Sequence, residues 1–108
     1  MKKVKMATSD SYQNYLVESL KDSEEAAAYI EAILEVENPE PQLLSSALND
    51  VIDARLSTNN LSEAAKINWE RLKQMLVLSS GAEIYQLVAL LNTLGFSLGV
   101  NIQEQEKS

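Results

Sequence analysis

Nine residues between positions 66 and 80 carry the side chains best suited to chemistry in this chain: Lys66, Asn68, Trp69, Glu70, Arg71, Lys73, Gln74, Ser79 and Ser80. If a helix covers residues 69–78, Glu70, Arg71, Lys73 and Gln74 leave it on the side away from Leu72, Met75 and Leu76. Arginine and lysine so placed can contact phosphate or guanine, and glutamine can pair bidentately with adenine. Glu70 repels phosphate and serves only by accepting from a cytosine amino group. Asn68 would cap that helix, and Lys66, Ser79 and Ser80 would lie near phosphates. Trp69, three residues before Leu72 and seven before Leu76, either folds onto the core edge or makes a groove or protein contact.

Other chemistry has little to work with. The absence of cysteine and histidine excludes disulfides, thiolate chemistry, soft-metal sites and the usual general base. Glu24 with Glu25 and Glu35 with Glu37 have neither the nitrogen and sulfur ligands of a transition-metal site nor calcium-loop spacing. Glycines 81, 95 and 99 are too scattered to cradle a phosphate, and tyrosines 12, 15, 29 and 85 read as amphipathic residues at the core edge. The chain reads as a non-enzyme without cofactor or metal.

The elements that must position residues 66–80 are helical. At 108 residues with 45% apolar content, three glycines and two prolines, the chain has one domain's length and too few turn formers for an all-β sandwich. Tyr12, Tyr15, Leu16 and Leu20 recur at helical spacing behind Asp10, predicting a short helix over 11–20. Asp22 or Ser23 opens a second, with Glu24 and Glu25 against the N-terminal dipole and Ala26, Tyr29, Ile30, Ile33 and Leu34 in one stripe. Asn38-Pro39 ends it and starts a central helix running to about Leu56, buried through Leu43, Leu44, Ala47, Leu48, Val51 and Ile52. After a polar connector at 57–60, helices are expected over 61–66 and 69–78, with Leu61, Ala64 and Ala65 facing inward and Ile67 plugging a tight turn. The next runs from Gly81 or Ala82 to Leu94 and stops at Gly95. Phe96, Leu98, Val100 and Ile102 then alternate with polar or glycine positions, predicting a half-buried strand. No other segment alternates, so this strand would pair with its copy in a homodimer. The expected domain is 10–102, with flexible termini at 1–9 and 103–108.

Net charge is −7, and its distribution is uneven. Residues 10–53 carry eleven acids against Lys21, whereas in residues 54–76 Arg55, Lys66, Arg71 and Lys73 outnumber Glu63 and Glu70. Glu24, Glu31 and Glu35 share the outer face of the second helix, a solvated surface first and a docking site for a basic partner second. The longest apolar run, 87–91, falls far short of the roughly 20 residues that span a bilayer. Thr8, Ser9 and Asp10 stand where a signal peptide would begin its apolar core. The expectation is a cytoplasmic protein without membrane association.

The segments Tyr15-Leu16, Leu20-Lys21-Asp22, Glu24-Glu25-Ala26-Ala27-Ala28-Tyr29-Ile30 and Ala47-Leu48-Asn49-Asp50-Val51 resemble the N-terminal half of the putative addiction-module antidote proteins. These are HigA-like antitoxins with a Cro-like helix-turn-helix. Residues 61–76 and Leu94-Gly95-Phe96-Ser97-Leu98 resemble the second half of that family, and the likeness covers about 12–100. Lys66 stands where the family has its turn glycine, Ser80-Gly81-Ala82 where it commonly has Gly-Asn-Pro, and Gln86 where it has threonine. The resemblance implies an all-α fold of five to six helices with a Cro/lambda-repressor-like helix-turn-helix and a short C-terminal strand. It also implies a dimeric autorepressor of its own operon that binds operator DNA and neutralises a small basic RelE-like toxin, which the acidic surface would attract. The alternative is a protein-binding module whose degenerate helix-turn-helix sequesters a partner without binding DNA. Exposed apolar side chains at Val77 and Leu78 would favour that alternative.

Overall fold

The computed structural model describes residues 9–103, and Lys2, Lys3, Lys5 and most of both expected flexible termini lie outside them. Five helices follow one another: α1 (Ser9–Ser19), α2 (Ser23–Leu34), α3 (Leu43–Ser57), α4 (Glu63–Ser79) and α5 (Ala82–Thr93). No strand occurs among the described residues.

Local chemistry sets most boundaries. Asp22 caps α2 by accepting from the Glu24 amide at 2.9 Å, the Asx cap expected from its place before two glutamates. The central helix begins four residues later than Asn38-Pro39 suggests. Asn38 turns left-handed at φ 56°, and Glu40, preceding Pro41, is pushed away from helical backbone. α3 ends through Asn59, left-handed at φ 59°, with the Asn60 amide donating to the Arg55 carbonyl at 2.8 Å. α5 ends the same way, because Gly95 turns at φ 94° and the Phe96 amide donates to Leu91 at 2.8 Å. Both are Schellman closures that satisfy the last free carbonyls.

The tight turn expected at Ile67-Asn68 is absent, and α4 runs unbroken from Glu63 to Ser79. Its cap is Ser62, whose Oγ accepts from the Ala65 amide at 3.0 Å. With Lys66 in place of glycine, a left-handed turn here costs on the order of 1 kcal/mol, whereas Ala65, Trp69, Leu72 and Leu76 continue one helical stripe across it. The break falls instead at Ser80 and Gly81, both left-handed at φ 58° and 80°, and α5 departs from α4 at 84°. Gly81 is buried, and a Cβ there would lie 3.1 Å from Leu44 Cδ2.

Two apolar clusters hold the helices. Leu20, Ala26 and Ala54 join α2 and α3 to the end of α1, with Leu16, Val17, Tyr29 and Val51 around them. Leu34, Leu44, Trp69, Leu76 and Val88 form the second, where α2, α3, α4 and α5 meet. Leu98 and Val100 pack against this second cluster, and the Val100 amide donates to Glu31 Oε1 at 3.1 Å. The segment expected to pair with a second chain therefore spends its inward side chains and one backbone donor inside its own fold, while Phe96 and Ile102 stay exposed.

Candidate interaction surface on α4 and α5

The nine residues nominated between 66 and 80 fall on one straight helix and its end, not on a corner. Trp69 is buried at 9% exposure and belongs to the core, the structural of its two readings. Lys73, one turn on, stacks its ammonium 5.6 Å from the Trp69 ring centre and pairs with Glu70 at 3.2 Å. Lys66 pairs with Glu63 at 3.2 Å. Two of the three α4 cations are thus matched by acids of the same helix, and among the described residues Arg71 has no ion pair. Asn68 and Gln74 are exposed. Ser79 Oγ accepts from the Gly81 amide at 3.1 Å, and half-buried Ser80 forms the left-handed cap. These two serines shape the bend between the helices.

Helical geometry opposes the buried pair Trp69 and Leu76 to an outer row of Ile67, Arg71, Gln74 and Leu78, with Met75 and Val77 on its flanks. Ile67 and Met75, expected to plug a turn and anchor a core, are 52% and 61% exposed. Val77 and Leu78 are the most exposed large apolar residues described, at 78% and 89%. On α5, Val88 points into the core with Ile84 and Tyr85 beside it and Leu91 is half-buried, while Leu87, Leu90 and Leu94 remain exposed. One signal for this was present in the sequence. Apolar positions on α5 occupy more than half of its circumference, wider than a single core requires.

The acidic residues proposed as a docking face are split. Glu24 and Glu35 are exposed at opposite ends of α2, but Glu31 is half-buried and holds the Val100 amide. Asp50 is committed too. Its Oδ1 accepts from Gln13 Nε2 at 2.6 Å and its Oδ2 from the Tyr29 hydroxyl at 3.1 Å. Burial, and then the neighbouring Asp50 carboxylate, push the Tyr29 hydroxyl up to about 12. Burial also raises Tyr85, whose hydroxyl donates to the Ile33 carbonyl at 2.9 Å and ties α5 to α2. Both tyrosines are neutral fasteners rather than bases.

An open groove of about 650 Å³ runs between α1, α3 and α4, lined by Gln13, Ser45, Asn49, Asp50, Trp69 and Lys73 among others. Its carboxylate and its ammonium are already engaged by Tyr29, Gln13 and Glu70. No group of three acids that could hold a metal ion occurs among the described residues. Nor is any single described helix long and apolar enough to cross a membrane. Comparison with protein-family models, with characterised proteins and with solved structures finds no match to this chain.

Proposed function

We propose that this protein is a protein-binding module, an all-helical scaffold that captures a partner on the outer row of α4. One observation carries this reading. The helix nominated to read bases presents Leu78 at 89% and Val77 at 78% exposure, with Met75 and Ile67 also exposed along it, while Lys66 and Lys73 pair with Glu63 and Glu70. Duplex DNA asks for unpaired cations along its phosphates. A protein partner asks for a few large apolar anchors ringed by contacts that exclude water. The eleven acids of residues 10–53 would steer a basic protein toward this surface. A small basic toxin encoded beside this chain is the partner that the resemblance to the antidote proteins suggests.

Operator binding is the second reading, favoured by Arg71 and Gln74. Both are exposed on the outer row, and Arg71 has no ion pair among the described residues.

Co-expression with the neighbouring gene product, read by light scattering, tests the first reading. A stable complex that Leu78→Glu weakens by roughly tenfold or more, without loss of helical circular dichroism, supports it. Fluorescence anisotropy with duplex DNA from upstream of the gene tests the second. Tight binding that falls steeply with salt and is lost in Arg71→Ala would overturn the module reading in favour of a repressor.

A further inference from the structure

The apolar side of α5 lies beyond the 84° bend from α4 and its outer row. Leu87, Leu90 and Leu94 are 48%, 51% and 60% exposed, and helical spacing puts all three on one side of α5, next to half-buried Leu91. The Schellman closure then brings Phe96, 62% exposed, back beside Leu91 through its 2.8 Å amide bond. We infer that Leu87, Leu90, Leu94 and Phe96 form the interface with a second copy of this chain, packed α5 against α5 about a two-fold axis.

Charge selects the occupant. Two chains of net charge −7 repel each other and can meet only where neither brings its acids. Residues 82–103 contain a single charged side chain, Glu83, which lies one turn before Leu87 on the same side of α5 and so at the end of the patch, whereas residues 10–53 contain eleven acids. A basic partner finds little charge to pair with on α5 and the closure after it, whereas an identical, nearly neutral patch brings little repulsion. A two-fold interface moreover needs one self-complementary patch, and a leucine row ending in an aromatic ring provides it.

Area agrees. If a fully exposed residue of this size presents roughly 200 Å², the four offer on the order of 450 Å² of apolar surface. At the roughly 65% apolar share of homodimer interfaces, that implies roughly 700 Å² per subunit, close to the roughly 800 Å² of a standard interface. Pairing through 96–102 as a strand is no substitute, since Leu98, Val100 and the Val100 amide are already used within the chain.

Sedimentation equilibrium of the full chain, up to about 100 µM and at low and high salt, tests the inference. The expected result is a dimer that tightens as salt rises, because screening removes the repulsion between like net charges while the apolar contact persists. A basic partner or DNA would respond to salt in the opposite sense. Leu90→Glu with Leu94→Glu should give a monomer with unchanged helical circular dichroism, and the uncharged pair Leu90→Gln with Leu94→Gln should weaken the dimer by roughly tenfold or more. Both pairs should leave capture of a partner by α4 intact, which separates this inference from the proposed function. A wild-type chain that stays monomeric throughout, or a dimer indifferent to both pairs, overturns it.

Discussion

Residues 10–53 carry eleven acids against Lys21 and sink Leu20, Ala26, Leu34, Leu44 and Ala47 into the interior, whereas residues 74–103 carry only Glu83 and leave Met75, Val77, Leu78, Leu87, Leu90, Leu94 and Phe96 in solvent. The two regions therefore have different outer boundaries. Around α1–α3, water solvates a charged exterior and the apolar stripes of α2 and α3 face inward, while Tyr12 and Tyr15 of α1, expected at the core edge, and Leu56 near the end of α3 stay exposed. Around α4 and α5, one apolar face packs on the shared cluster of Leu34, Leu44, Trp69, Leu76 and Val88, and a second has no packing within the chain. An unpartnered apolar face of this kind is the ordinary mark of a protein interface. The contrast teaches that the chain segregates two kinds of exterior, charge around α1–α3 and uncovered apolar side chains around α4 and α5.

The sharpest way to break this contrast is to detach the second region from the first. Trp69→Ala removes the largest side chain of the shared cluster and should cost about 3–5 kcal/mol in urea unfolding followed by circular dichroism. A loss below about 1 kcal/mol would mean that α4 is not anchored through the tryptophan. Next comes the bend. Gly81→Ala places a Cβ at φ 80° and 3.1 Å from Leu44 Cδ2, and should cost about 1–2 kcal/mol for the left-handed backbone alone. An unchanged denaturation midpoint would show that the 84° turn does not depend on glycine.

The smallest expected effect lies within the first region and appears only in alkali. Tyr29 in the fold keeps its proton to about 12, against an ordinary value of 10.0. As pH rises the unfolded chain ionises first, so the stability that Tyr29 contributes is complete below pH 10.0 and is lost progressively up to about 12. Tyr29→Phe should reduce the slope of stability against pH in that window and remove one late step from the ultraviolet titration. Tyr85, also raised, would retain part of the slope. A variant with the wild-type alkaline slope would show that the Tyr29–Asp50 bond does not tie α2 to α3.

Legibility in the sequence followed the same division. Asp22 as a cap, the stripe from Ala26 to Leu34, the inward row from Leu43 to Ile52 and the stop at Gly95 were all readable, because capping and helical period act over a few residues, whereas fully buried Ala54 was not singled out. The boundary between residues 66 and 69 was not. A tight turn and a continuous helix leave the same polar residues outside, and the choice between them rests on whether Ala65, Trp69, Leu72 and Leu76 meet one surface or two. The character of residues 66–80 was not legible: Trp69 went to the core, Lys66 and Lys73 to intrahelical pairs, and the exposed positions to Leu78 and Val77. The expected strand failed for a related reason. Alternation in Phe96, Leu98, Val100 and Ile102 reports that alternate residues are covered, not what covers them.

Sequence alone determined the all-helical class, the capping of α2 by Asp22, the stop at Gly95 and the segregation of charge into the first half of the chain, since these depend on local backbone preference and on composition. Only the tertiary structure decided which apolar stripes found a partner inside the molecule. Burial is a property of surfaces brought together from distant positions, and the shared cluster, with one face each of α4 and α5, had room for Trp69, Leu76 and Val88 but not for Leu78, Leu87, Leu90 or Leu94.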